Sequence, residues 1–168
     1  LGHAVERVQG QAPGAAEGSP IIEHPDVKRM LMTMKSQVEA MRALALVCAF
    51  AYDTAERHPD AEVRSAASQR GDLLTPIVKA WSTESAQTVT ALGTQIHGGM
   101  GFIEETGAAQ YQRDARILTI YEGTTGIQAG DLVGRKTLRD GGSAMRSLIS
   151  DMRQTVSALA DASGTAAR

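Results

Sequence analysis

Apolar residues recur at helical spacing along most of the chain. From Val27 onward, Met30, Leu31, Met34, Val38, Met41, Ala45 and Cys48 form a stripe of period 3.6. Pro25 suits a first helical position, and Asp26 beside it complements the helix dipole. Lys28, Lys35, Glu39 and Arg42 fall between the apolar positions, with Lys35/Glu39 and Glu39/Arg42 at pairing distance. His58-Pro59 ends this helix near Arg57. Asp60 is placed to cap the next one. Its stripe is Val63, Ala67, Leu74, Ile77, Val78, Trp81, Val89, Leu92 and Ile96. The register survives Pro76, which predicts one long helix, bent near Gly71 and Pro76, ending at Gly98-Gly99.

Elsewhere the pattern is broken by small residues. Residues 1–9 read as the tail of a helix whose start lies outside the chain, so an excised piece of a longer protein is expected. "GQAPGAAEGSP" (10–20) reads as a mobile loop, and "GGMGFIEETG" (98–107) as an irregular loop with four glycines. A short helical or coil segment is expected over 108–114. A further helix is predicted from Thr124 to about Arg139, stopped by Gly141-Gly142. A last one carries Met145, Leu148, Ile149, Met152, Val156 and Leu159 on one face, and the tail "ASGTAAR" is expected to fray. There is neither a strand pattern nor an internal repeat. The expected fold is all-α, an antiparallel (up-down) four-helix bundle.

Composition narrows the function. The 168 residues suffice for one domain with a real core, and an aromatic content of 4% favours helices over sheets. A net charge of −2 offers no basic field for nucleic acid. The single cysteine, Cys48, excludes an internal disulfide and a cysteine-rich zinc site, and no metal site is expected. No apolar run approaches the roughly 20 residues of a membrane span, and no signal-peptide pattern is present, which makes a cytoplasmic setting the expectation.

Three features are suggestive. In "RILTIYEGTTGIQ" (116–128) an apolar run delivers one carboxylate, Glu122, into a flexible turn. Apolar neighbours would desolvate it, while the start of the following helix would favour its anion. Sequence leaves open whether Glu122 is a dry base or a solvated loop acid. In "QIHGGMG" (95–101) a helix ends in main chain with little side-chain cover, either a plain glycine cap or a place where a cofactor reaches the backbone. Gly126, Gly130 and Gly134 line one helix face at roughly 1 kcal/mol each relative to alanine, which a close-packed helix or a ligand must offset. Arg113, Asp114 and Arg116 read as a salt-bridge cluster fixing a loop.

"QIHGGMGF" followed by "RDARILTIYEGTTGIQ", together with "LLTPIVKAW" (73–81) and "ERVQG" (6–10), resembles the acyl-CoA dehydrogenase family. Residues 1–139 resemble its C-terminal helical bundle domain. Residues 140–168 lie beyond the match and are expected to add a helix that begins a further helical extension. The resemblance implies a flavoenzyme that desaturates acyl-CoA thioesters between Cα and Cβ, as in fatty acid β-oxidation. Glu122 matches the glutamate that removes the α proton while hydride leaves Cβ for N5 of FAD. Tyr121 and Gly123 match residues flanking the acyl chain. Gln95, Ile96, His97, Gly98 and Gly99 match the run that meets the FAD of a neighbouring subunit, and Thr124 and Thr125 match positions near the flavin of their own subunit. Arg7 and Gln9 match residues at the neighbour's FAD diphosphate, although the usual Phe before the glycine is missing here. His24 falls at a family flavin contact, with His24-Pro25 replacing the commoner pair. The same resemblance implies a homodimer or homotetramer and an electron-transfer flavoprotein or similar acceptor. It also implies that this piece alone is inactive, since most of the flavin and CoA surface lies in other domains. The alternatives are an acyl-CoA oxidase, which shares the bundle, and a non-catalytic helical interaction module.

Overall fold

A computed structural model describes residues 1–14 and 18–166, so residues 15–17 of the expected loop and the last two of the tail lie outside the described residues. Its helices are α1 (Gly2–Glu6), α2 (Pro25–Arg57), α3 (Ala61–His97), α4 (Gly99–Phe102), α5 (Ala108–Ile117), α6 (Thr125–Gly130) and α7 (Ser143–Ala166). Two 3₁₀ turns, Ile21–Glu23 and Glu104–Thr106, and a π-helical stretch, Asp131–Leu138, complete the order. The only extended pairing among the described residues is an isolated antiparallel bridge between Val8 and Pro20. The fold is all-α, as the patterning predicts.

The two long helices form where their caps and stripes place them. Pro25 opens α2, and Lys35 pairs with Glu39 at 2.5 Å on its polar side. Asp60 Oδ1 accepts from the backbone N–H of Glu62 at 2.8 Å and of Val63 at 3.3 Å, so it caps α3. α3 passes unbroken through Pro76, whose side chain is fully buried. Where the patterning was less decisive, the structure differs. Gly99–Phe102 and Glu104–Thr106 form short helical turns rather than an irregular loop. The predicted 124–139 helix changes from α to π after Gly130, with Thr137 Oγ1 donating to the Leu132 carbonyl at 2.8 Å, five residues back. α7 continues to Ala166, through most of the tail expected to fray.

The chain divides into two compact units. The first comprises residues 1–44 and 79–125. Its core is Ala4, Ile21, Met30 and Ile96, with Ile22, Val27, Leu31, Met34 and Leu92 packed around them. The second comprises residues 45–78 and 126–168. It buries Cys48, Ala51, Leu73, Leu74, Ala144 and Leu148. Here Tyr52 lies flat against Gly71: a Cβ on Gly71 would stand 3.1 Å from the ring, so the glycine makes room for the tyrosine. The Tyr52 hydroxyl lies 2.9 Å from Thr75 Oγ1 and donates to Asp72 at 3.3 Å, and burial pushes its ionisation upward. Asp140 caps α7, accepting from the N–H groups of Gly142, Ser143 and Ala144.

Several stripe positions are outside the core. Ala45 and Val63 are exposed, and so is Trp81 on α3. On α7, Leu148 is buried while Met152, Val156 and Leu159 are exposed. Gly130 and Gly134 have no atom within 4 Å of where a Cβ would sit, so those two glycines do not serve close packing within this chain.

Candidate functional site

The first unit holds every residue that the resemblance assigns to the base, the acyl chain or the flavin, in two groups. One group is built around the end of α3. The rings of His3 and His97 stack with centroids 4.2 Å apart, tying α1 to that end. His97 Nδ1 donates to the Gly93 carbonyl at 2.7 Å, which leaves Nε2 as the acceptor in the neutral ring. Burial, then the nearby His97 and Arg7 charges, lower the basicity of His3, with Glu6 opposing them. The Arg7 carbonyl accepts from Ile21 N–H at 2.7 Å, and His24 Nε2 donates to the Gln9 carbonyl at 2.9 Å. Arg7 and Gln9 are therefore held by their main chain, and both side chains are exposed.

Gln95 is exposed too, whereas Ile96 turns its side chain into the core, so only its main chain faces outward. Gly98 has φ of +61°, a conformation that favours glycine, and the space beside Gly98 and Gly99 is open. Gly101 has the opposite reason for being glycine. A Cβ there would overlap the Thr94 carbonyl and come within 2.9 Å of His97 Cβ.

The second group is the turn from Leu118 to Thr125. α5 ends at Ile117, and the chain tightens through Ile120 N–H and Tyr121 N–H, both donating to the Ile117 carbonyl. Glu122 then adopts φ of +54°, the one non-glycine residue with positive φ among the described residues, and Gly123 follows at +89°. A left-handed non-glycine residue costs on the order of 1–3 kcal/mol and persists where its surroundings dictate it. Here α3 supplies the surroundings. Lys79 Nζ donates to the Leu118 carbonyl at 2.7 Å and to the Gly123 carbonyl at 2.9 Å, and lies 5.8 Å from the Tyr121 ring centroid. Gln87 Nε2 donates to the Ala115 carbonyl at 2.6 Å, satisfying the end of α5. Thr125 Oγ1 donates to Glu84 at 2.5 Å, fixing the start of α6. Thr119 is buried, with Arg116 Nη1 donating to its hydroxyl at 2.9 Å.

The question left open for Glu122 has an answer within this chain, and one expectation needs correction. The apolar run does not keep Glu122 dry within this chain: Ile117, Ile120, Tyr121 and Glu122 are all exposed, and Thr119 is the residue that turns inward. Arg113 and Arg116 do not cluster with Asp114. Arg113 pairs with Glu104 at 3.3 Å and Arg116 with Thr119. A cleft of about 690 Å³ in the same unit is lined by Gln87, Thr94, Phe102, Ile103 and Arg113 among others, and Glu122 is not one of its lining residues. No group of three His, Cys, Asp or Glu among the described residues is placed to hold a metal ion, and no described helix is long and apolar enough to cross a membrane. Sequence reasoning missed Lys79, Glu84 and Gln87. For Lys79 a signal existed: a cation set between Ile77, Val78 and Trp81 of an apolar stripe.

Residues 3–137 match the family described as acyl-CoA dehydrogenase, C-terminal domain. A 3-methylmercaptopropionyl-CoA dehydrogenase of Ruegeria pomeroyi is 54% identical over 87% of this chain and 25% of its own length. A broad-specificity linear acyl-CoA dehydrogenase of Mycobacterium tuberculosis is 38% identical over 93% of this chain and 26% of its own length. A butyryl-CoA dehydrogenase of Syntrophomonas wolfei is 38% identical over 84% of this chain and 24% of its own length. The chain thus spans about a quarter of the length of the curated relatives it matches.

Proposed function

The chain belongs to the acyl-CoA dehydrogenase family, whose C-terminal domain it matches over residues 3–137, and from that premise we propose that it supplies the base of a flavin-dependent α,β-desaturation of an acyl-CoA thioester. Glu122 is the base. The observation that carries this reading is its strained, left-handed backbone at the outer surface of a turn pinned from α3. Strain of this kind costs the fold free energy and accords with a carboxylate aimed at a substrate.

In this reading Glu122 takes the α proton of the thioester, and the electron pair of that C–H bond becomes the new Cα=Cβ π bond as hydride leaves Cβ. The Glu122 main-chain N–H donates to the thioester carbonyl, where charge develops as the proton leaves. Tyr121 and Gly123 flank the acyl chain. Because Glu122 is exposed on this chain, the parts of the full-length protein that carry the substrate also exclude water from it. The residues present suit FAD. The guanidinium of Arg7 and the amides of Gln9 and Gln95 are donors fit for a diphosphate, and the open main chain at Gly98-Gly99 admits a group that any Cβ would crowd. Thr124 and Thr125 serve the flavin side of the turn, and His24 acts by holding Gln9. When bound, FAD supplies the hydride acceptor.

The first group would meet the flavin of a neighbouring subunit in a homodimer or homotetramer. Electrons would then pass to an electron-transfer flavoprotein or similar acceptor. This chain without the rest of the protein would be inactive. The test is anaerobic flavin bleaching by a panel of acyl-CoAs with the full-length protein and its Glu122→Gln variant. Removal of a general base is expected to slow bleaching by roughly 10²–10⁴-fold with flavin retained. Unchanged bleaching would sink the assignment.

A further inference from the structure

Lys79 stands out because it lies in the middle of α3, half-buried, yet spends its hydrogen bonds on a distant turn. Its ammonium reaches two acceptors, the carbonyls of Leu118 and Gly123, at 2.7 and 2.9 Å, and these residues lie on either side of Glu122 in the chain. A single ammonium thus closes the turn across its open end, at the only described non-glycine residue with positive φ. Charge-assisted bonds of this kind are stronger than neutral ones and fix geometry. The same ammonium stands 5.8 Å from the ring of Tyr121, the residue before Glu122. One side chain thus bonds the turn near its start and near its end.

We propose that Lys79 is a positioning residue for Glu122: it holds the turn in the left-handed conformation from which the carboxylate reaches the substrate. This rests on the reading of Glu122 as the base. A neutral side chain at this position would leave the two carbonyls without their shared donor and let φ of Glu122 relax toward the ordinary region. The carboxylate would then approach the α proton from a poorer geometry, while thioester and flavin contacts elsewhere stay intact.

The experiment uses the full-length holoprotein and Lys79→Met. The rate of flavin reduction by a saturating acyl-CoA is expected to fall on the order of 10²-fold, the cost of a misplacement near 1 Å. The α-deuterium isotope effect on that rate should rise, with flavin content and the Kd for acyl-CoA unchanged. A merely structural lysine would lower flavin content and weaken binding without moving the isotope effect. Unchanged reduction and isotope effect in a flavin-replete Lys79→Met protein would overturn the proposal. Should that variant lose its flavin, Lys79→Gln, which keeps a donor but not the charge or the double reach, is read by the same criterion. Flavin loss from both variants would overturn it as well. Glu122→Gln measured alongside separates the two ideas. If it still bleaches the flavin, the base reading falls; if it is dead while Lys79→Met is normal, only the role of Lys79 falls.

Discussion

Glu122→Gly and Glu122→Ala, compared side by side, test whether the turn stores strain. Alanine keeps the Cβ that makes φ of +54° unfavourable, and glycine removes it. Left-handed backbone costs an L-residue roughly 1–2 kcal/mol, which glycine escapes. Glycine gives back about 0.5–1 kcal/mol through its greater freedom in the unfolded chain. The difference leaves Gly at least as stable as Ala at this position, and by up to about 1.5 kcal/mol more stable. At an ordinary helical position such as Gln110 on α5 the order reverses, with Gly worse than Ala by about 1 kcal/mol. The pair Gln110→Gly and Gln110→Ala therefore serves as the internal control. Thermal unfolding of the full-length protein, followed by far-UV ellipticity, reads the difference. A shift near 1 kcal/mol corresponds to about 2–4 °C where a domain of 150–250 residues unfolds as a unit. If Glu122→Gly melts below Glu122→Ala by the same margin as the control pair, the strain argument is wrong. Both Glu122 variants should be inactive, so any gain in stability comes at the expense of function.

Two further outcomes follow from the end of α3. Gly101→Ala forces a Cβ into the Thr94 carbonyl and against His97, so the backbone must shift; about 1–3 kcal/mol of stability should be lost, with weaker flavin retention in gel filtration of the holoprotein. Retention equal to the unmodified protein would show that the turn adapts. For His3, burial and its cationic neighbours disfavour protonation in the fold. The unfolded chain then takes up the proton first as pH falls below about 6.5, so stability should decline from pH 7 toward the lowered folded value. His3→Gln should flatten that decline, and equal slopes for the two proteins would refute the attribution.

How much of this was legible in the residues differs from element to element. α2 and α3 were readable because their ends are written in local chemistry: Pro25, His58-Pro59, the Asp60 cap and Gly98. The switch to π geometry after Gly130 was not, since apolar spacing does not distinguish it from the α geometry before it. Glycines misled in both directions. Gly71 marked a contact with Tyr52, whereas Gly130 and Gly134 face open space. In the candidate site the motifs located the Glu122 turn and the Gln95–Gly99 run. The residues that hold the turn, Lys79, Glu84 and Gln87, lie some 30 to 45 positions earlier and meet it through long side chains. Such pairings have no local signature. Exposure was the other blind spot. An apolar sequence neighbourhood suggested shelter for Glu122, but in a turn successive side chains diverge, and Thr119 rather than Ile120 points inward.

The most direct test of the account is single-turnover flavin reduction by acyl-CoA in the full-length Glu122→Gln protein. The account predicts a flavin-replete protein that binds the thioester but fails to bleach on the timescale of the unmodified enzyme. Bleaching at the unmodified rate would contradict it and place the base outside this turn.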